Sequence, residues 1–352
     1  MTIFTQLDTS TGNGLVIPET PDLNRLRRET GARLRSAMAE RGVDAMILLG
    51  NNAVVYATGA SWPLGDAGLS YVERLVAVVV ADDEWPHLFL PFREGASHET
   101  GLPDDHLHGP VYLESEEGVA NFARAIAGLI PPGAVIAVDE CTGAMSRAAN
   151  LLFPNGAPVD AAAIVSAAKS VKTPDELSCM RTAIRITDEA MVEVQKRLAP
   201  GIRQIDLSAS FLRRAFELGA TASMLEPIWQ VMPPSKAEGV WTTHGDLALP
   251  LLSTERELGE GDVLWTDVSI TYQGYCSDFG RTWLVGRDPS PRQQAQFDKW
   301  FQIMTAVLGV AKAGATAADL GRAATKANGG SKPWLPHFYL DHGIGVNAPK
   351  CR

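Results

Sequence analysis

The chain has 352 residues, of which 45% are hydrophobic and 20% are charged, so it is long enough for two ordinary domains. Its net charge of −10 argues against a surface for nucleic acid or anionic lipid, because either surface needs a basic patch. No apolar run approaches the ~20 residues of a membrane span, and residues 1–21 lack the pattern of a signal peptide. The four cysteines lie far apart without a CxxC pair, so we expect neither disulfide bonds nor a thiolate zinc site and place the protein in the cytoplasm. We expect residues 1–21 to be a flexible polar tail.

Helix-like and strand-like segments alternate along the first half. Apolar residues at helical spacing predict a helix from Asp22 to Arg41, and VANFARAIAGL predicts another between residues 120 and 130. Apolar runs predict strands at residues 44–50, 74–81, 87–91 and 134–140. Strands interspersed with helices indicate an α/β domain, which we place at residues 22–168.

The second half begins with a helix and contains a short repeat. Thr173-Pro174 predicts the start of that helix, which should end at Leu198, before Pro200-Gly201. The motif G-x4-D-L occurs in GIRQIDL (201–207) and again in GATAADL (314–320), and each copy is predicted to precede an amphipathic helix. A duplicated α+β unit within residues 172–352 explains this match, but so does chance, because Asp-Leu before a helix is a common capping arrangement.

The stretch GDVLWTDVSITYQGYCSDFGRTWLVG (261–286) predicts a β-hairpin. Strand-favouring residues flank Gln273-Gly274, which suits a two-residue turn. With that turn Asp267 faces Gly280, and Asp267 and Asp278 are diagonal neighbours on one face, about 7–8 Å apart or less at Cβ. Carboxylates at that separation can reach a pair of metal ions, whereas a three-residue turn would put them on opposite faces. Two solvated strand aspartates explain the pattern equally well, so the hairpin alone leaves both interpretations open.

Together with later segments, this hairpin resembles the pita-bread metallopeptidases, the family of methionine aminopeptidase, aminopeptidase P and prolidase. The resemblance rests on D-x10-D, the following Arg281-Thr282, and HGIG at 342–345. In the first half, LLGNNAVVYATG is similar to the creatinase/prolidase amino-terminal domain, and KTPDELSCMRTAIRITDEAM is similar to the helix that opens the family's catalytic domain. The resemblance implies an α/β amino-terminal domain followed by an α+β pita-bread catalytic domain.

Carried onto this sequence, the resemblance implies that Asp267 chelates one metal ion, Asp278 bridges two, and His342 binds the other. It also places His244 near the substrate, where an ordinary surface-loop histidine is an equal alternative. The implied function is a di-metal hydrolase of the Xaa-Pro peptidase type that acts on a small peptide or another small molecule. Carboxylate-rich ligands favour Mn²⁺, with Co²⁺ or Zn²⁺ as alternatives. The amino-terminal domain commonly contributes to dimerisation in this family, so the resemblance also implies a homodimer.

The resemblance ends before two glutamate ligands that the family places beyond HGIG. Pro349 and Lys350 stand where the family has a second histidine and an acid, and no acidic residue follows Asp341. We therefore expect residues 172–352 to be an incomplete pita-bread domain that binds metal weakly and shows little or no peptidase activity. We also expect the ending APKCR to reflect a shifted reading frame or a truncated sequence.

Two other functions stay open at this point. One is a non-peptidase enzyme of the same fold, similar to dimethylsulfoniopropionate lyases or creatinases, which Pro349 favours; the D-x10-D spacing argues against a creatinase. The other is a pita-bread module that binds a partner without catalysis, which the absent glutamates favour.

Overall fold

The structure is a computed structural model that describes residues 20–61, 74–232, 253–333, 340 and 342–346. By its internal contacts the chain divides into two compact units. Of the described residues, the first unit contains those up to Thr182 together with Tyr272–Tyr275, Gly345 and Val346, and the second contains the others. No helix within the described ranges is both long enough and apolar enough to cross a membrane. The domain bounds 22–168 and 172–352 stay a prediction.

The first unit is built on a six-stranded sheet with helices on both faces. Its helices are α1 (Leu23–Ala39), α2 (Asn51–Thr58), α3 (Ala96–Thr100), α4 (Glu116–Ile126), α5 (Gly143–Arg147), α6 (Ala149–Leu152) and α7 (Ala161–Lys169), with a 3₁₀ turn at Asp104–His106. Its strands are β1 (Ala45–Leu48), β2 (Val76–Val80), β3 (His87–Phe89), β4 (Leu107–His108), β5 (Ile136–Val138) and β6 (Val159–Asp160). They lie in the order β4-β3-β2-β1-β5-β6, which confirms the predicted α/β class.

The central strands β1 and β2 are buried on both faces, since alternate residues point to opposite sides of the sheet and every residue of both strands is buried. In β1, Ala45 and Ile47 enter the core shared with α4, α5 and α6. Met46 and Leu48 enter the other core, shared with α1, α2 and α7. A strand that is buried on both faces is a continuous apolar run, which is why β1 and β2 lack a polar alternation in the sequence.

The remaining elements are α8 (Pro174–Arg197), α9 (Gln204–Glu217), β7 (Ala222–Ser223), β8 (Ile228–Val231), β9 (Val263–Val268), β10 (Ile270–Tyr272), β11 (Tyr275–Cys276), β12 (Phe279–Leu284), α10 (Pro291–Val310) and α11 (Ala317–Ala327). Their strands form two three-stranded sheets, in the orders β12-β9-β8 and β11-β10-β7. The pairings between β7, β8, β9, β10 and β12 are antiparallel. Helices together with antiparallel sheets make this half an α+β domain, as predicted.

The two copies of G-x4-D-L occupy equivalent places in α9 and α11. The prediction that each copy precedes its helix is wrong, because both helices begin earlier and include the Asp-Leu pair. In each helix the aspartate, Asp206 or Asp319, accepts a hydrogen bond from the backbone N–H of the N-cap residue, Arg203 or Thr316. This is the capping-box arrangement, and it accounts for the aspartate without a duplication. The duplicated unit stays a prediction.

The tip of the predicted hairpin turns at Gln273-Gly274, as expected. Gln273 has φ 52° and Gly274 has φ 81°, both in the region that a type I′ turn requires. Asparagine enters that region more readily than glutamine, so Gln273→Asn should stabilise the protein by about 0.5–1 kcal/mol. Gly274→Ala should destabilise it by about 1–2 kcal/mol, because a Cβ there is strained and would lie 2.7 Å from Cγ1 of Val55. Urea unfolding measures both changes.

A matched control for Gly274→Ala is Gly309→Ala in α10. A Cβ at Gly309 meets nothing within 4 Å, and alanine is the better helix former, so this substitution should be neutral or stabilising. Equal losses of stability at Gly274 and Gly309 would contradict the assignment of the turn.

Candidate metal centre

The two aspartates of the hairpin lie on the strands β9 and β12 or beside them, at the predicted register. Gly280 of β12 lies opposite Asp267 of β9 in the antiparallel pairing. Asp278 precedes Gly280 by two residues and therefore falls on the same face as Asp267. Along β9 buried and half-buried residues alternate, and Asp267 belongs to the half-buried set. The hairpin thus presents both carboxylates on one side.

The hairpin is not continuous, however, because its tip and its arms belong to different sheets. At the division, hydroxyl groups replace part of the strand ladder. The Ser277 hydroxyl accepts a hydrogen bond from the Ile270 N–H (3.1 Å) and another from the Thr187 hydroxyl (2.7 Å). The Ser269 hydroxyl donates to the Ser277 carbonyl oxygen (2.5 Å). This network was not predicted from the sequence, although two serines within strand-like segments are the signal that indicates it.

His342 lies beside Asp278 and completes the group. Its Nε2 atom is 3.3 Å from Oδ2 of Asp278, and the two side chains are 24% and 34% exposed. The pKa of Asp267 is raised to about 6, chiefly by burial and then by the negative charge of Asp278, while His342 acts in the opposite direction. Asp278 and His342 are therefore in contact, and Asp267 interacts electrostatically with both.

Arg281, which the resemblance includes as part of the pair Arg281-Thr282, stabilises the position of β12. Its backbone N–H donates to the Thr266 hydroxyl (3.0 Å), and that hydroxyl donates to the Arg281 carbonyl oxygen (3.1 Å). Its guanidinium lies 4.0 Å from the centroid of the Phe279 ring and 3.7 Å from Oδ1 of Asp188 in α8. Strand alternation puts Arg281 on the face opposite Asp267. It therefore holds the strand in place and is not a ligand.

The chemistry of these donors fits a divalent cation. Two carboxylates and an imidazole are common ligands of first-row metals, and a cation would relieve the repulsion that contributes to the raised pKa of Asp267. The ligand atoms of Asp267, Asp278 and His342 do not all lie within 4.8 Å of one another. Among the described residues, those of Asp83, His87 and His106 do, and no sequence pattern predicted that cluster. His244, the fourth predicted site residue, lies outside the described residues.

Two family models match this chain, one over each half. The model described as Creatinase/Prolidase N-terminal domain matches residues 31–171, and the one described as Metallopeptidase family M24 matches residues 178–351. A curated relative, the uncharacterised peptidase YqhT of Bacillus subtilis, is 24% identical over 322 residues, which cover 90% of this chain and 82% of the relative.

Solved structures share the fold over nearly the whole chain. The prolidase from Pyrococcus horikoshii has a TM-score of 0.69 at 18% identity, with 92% of this chain and 84% of that one covered. The X-Pro aminopeptidase from Thermotoga maritima has a TM-score of 0.70 at 20% identity, with 92% and 83% covered. These similarities confirm the predicted pita-bread fold class. With its two halves matched in this order, the chain belongs to metallopeptidase family M24 and carries a creatinase/prolidase amino-terminal domain.

Proposed function

We propose that this chain is of the metal-dependent hydrolase type that acts on Xaa-Pro peptides, with Asp267, Asp278 and His342 among the metal ligands. The observation that carries the proposal is the placement of both aspartates on one face of the hairpin, with Nε2 of His342 3.3 Å from Asp278, inside the part matched by family M24. The substrate class is favoured by the relatives of known structure, which include a prolidase and an X-Pro aminopeptidase. A cytoplasmic homodimer is part of the same proposal.

Each of the three residues has a distinct part in this proposal. Asp267 is partly buried, so its ionised form is unfavourable until a cation neutralises it. Asp278 is more exposed and contacts His342. In the two-cation site that the family resemblance implies, Asp278 would be shared by both cations and Nε2 of His342 would hold one of them. Divalent cations bound there polarise the scissile carbonyl and lower the pKa of a water molecule. Two carboxylates to one imidazole favour Mn²⁺, with Co²⁺ or Zn²⁺ as alternatives.

The charge of these three ligands limits how many divalent cations they can hold by themselves. Two carboxylates and one imidazole carry two negative charges, whereas two close divalent cations bring four positive ones. Such a pair of cations needs further anionic oxygen ligands. We therefore propose that residues 1–352 by themselves hold one cation weakly and show little or no Xaa-Pro peptidase activity.

Titration of the metal-free chain with Mn²⁺ tests this assignment. Asp278→Asn should weaken Mn²⁺ binding at least about tenfold, because it removes a negative charge and a carboxylate oxygen from the ligand set. The bound fraction can be followed by electron paramagnetic resonance of free Mn²⁺, with hydrolysis of an Xaa-Pro dipeptide as a second measurement. The matched control is Asp288→Asn, because Asp288 is an exposed aspartate that follows β12 and should leave binding unchanged.

Three results would contradict the proposal. Two tight Mn²⁺ sites with rapid turnover would show that the ligand set is larger than these residues. An Asp278→Asn variant that binds Mn²⁺ like the control would remove Asp278 from the site, and a complete lack of Mn²⁺ binding would favour the non-catalytic binding module.

A further inference from the structure

Three histidines and one aspartate meet at one edge of the six-stranded sheet. β3 and β4 pair in parallel with Leu88 opposite Leu107, so His87 and His106, which precede these residues, are neighbours on one face. Their rings stack with centroids 4.3 Å apart and planes 4° from parallel. His108 lies on the same face of β4, and Asp83 comes from the turn between β2 and β3. The fold therefore gathers these side chains from three separate segments.

The distances within this cluster suit a shared cation. Nε2 of His87 is 3.3 Å from Oδ2 of Asp83, and Nε2 of His106 is 3.9 Å from Oδ1 of the same carboxylate. The two distances end on different oxygens of the carboxylate, but with one ligand atom taken from each residue, the ligand atoms of Asp83, His87 and His106 all lie within 4.8 Å of one another. Metal bonds of about 2.0–2.2 Å put two ligands of one ion roughly 3.3–4.3 Å apart, so a small movement of these side chains suffices to hold an ion. The His87 distance is long for a charge-assisted hydrogen bond, which is commonly about 2.7–2.9 Å.

Neighbouring groups orient two of the three side chains, His87 and Asp83. Nδ1 of His87 lies 3.1 Å from Nε2 of His108, so a second ring orients His87 and leaves its Nε2 atom directed at Asp83. The Trp85 N–H donates to Oδ1 of Asp83 (3.1 Å) and fixes that carboxylate. Nδ1 of His106 is buried and has no hydrogen-bond partner among the described residues, so hydrogen bonding does not account for the burial of this ring.

We propose that Asp83, His87 and His106 bind one divalent cation of the zinc class, independently of Asp267, Asp278 and His342. Two imidazoles and one carboxylate suit Zn²⁺ or a similar first-row ion better than Mg²⁺ or Ca²⁺, which prefer oxygen ligands. The bound ion would link three segments: the turn after β2, the start of β3 and the 3₁₀ turn before β4. Because β4 is an edge strand with only two paired residues, this link would stabilise its pairing with β3.

The test uses the full chain with Asp267→Asn and Asp278→Asn, so that the aspartate pair cannot contribute. Calorimetric titration of this metal-free parent with Zn²⁺ should give one equivalent, and Zn²⁺ should raise its unfolding temperature. Adding Asp83→Asn or His106→Gln should weaken that binding at least about tenfold and remove the thermal shift. His98→Gln is the matched control, because His98 is an exposed histidine of the same unit and should change neither.

Asp83→Asn alters a turn residue whose side chain is 32% exposed, so it remains informative if the more buried His106 variant fails to fold. Three results would overturn the proposal: no Zn²⁺ equivalent in the parent, Zn²⁺ binding by Asp83→Asn equal to that of the control, or loss of binding in the His98→Gln control. Because the parent already lacks the aspartate pair, none of these results depends on whether the proposed peptidase site is correct.

Discussion

Asp267→Asn is expected to stabilise the metal-free protein at pH 7 while it weakens metal binding. The pKa of Asp267 is raised from its ordinary 3.8 to about 6, mainly by burial. Between those pH values the unfolded chain releases the proton and the folded protein keeps it, so stability falls as the pH rises through about 4 to 6. A shift of this size corresponds to roughly 3 kcal/mol, and because Asp267 is only partly buried we expect about 1–2 kcal/mol at pH 7.

Urea unfolding in the presence of a chelator measures this effect. The variant should be more stable than the wild type at pH 7, and the difference should become small near pH 4, where the wild-type carboxyl is protonated in both states. Asp288→Asn, which changes an exposed aspartate, should alter neither measurement. A variant that is less stable than the wild type at pH 7 would show that the folded protein already compensates the charge of Asp267.

Trp229→Ala is expected to cause the largest loss of stability. Trp229 lies on β8 and is fully buried, its ring packs edge-on against Phe211 at 6.2 Å, and its Nε1–H donates to the Ser208 hydroxyl (2.8 Å). Removing such a side chain leaves a cavity and costs about 3–5 kcal/mol. Because Ile228 of β8 pairs directly with Asp267 of β9, the same change should also weaken Mn²⁺ binding.

Urea unfolding of two further variants separates packing from hydrogen bonding. Trp229→Phe keeps a ring but loses the donor to Ser208, so it should cost roughly 1–2 kcal/mol. Trp300→Ala removes a tryptophan that is 45% exposed on α10 and should cost less than about 1 kcal/mol. Similar losses in Trp229→Ala and Trp300→Ala would contradict the placement of Trp229 in the core.

Four strands of the first unit's sheet, β1, β2, β3 and β5, were predictable because they are short apolar runs bounded by turns. The strands β4 and β6 have two residues each and were not predicted. The helix α2 was not predicted, and its burial explains why. Residues 53–58 are all buried, so α2 has no polar face and its sequence shows no helical period. A segment of this kind cannot be told from a buried strand by its pattern alone.

At the candidate site, the shared face of Asp267 and Asp278 was predictable because side chains alternate strictly along a strand and the turn residues set the register. The division of the hairpin was not, because it depends on the hydroxyl of Thr187, which lies far away in the sequence. The histidine cluster was also missed. His87 and His106 become neighbours only through the parallel pairing of β3 with β4, which no local pattern reveals.

The pairing of β1 has a consequence for the synthesis of this protein on the ribosome. β1 needs β5 as its parallel neighbour, and Ile136 lies 91 residues after its partner Ala45. At about 5–20 residues per second, this neighbour is made roughly 5–20 s after β1. During that interval one edge of an entirely apolar strand is unpaired in the nascent chain. We therefore expect the first 140 residues to depend on chaperones during translation more than the segments that follow.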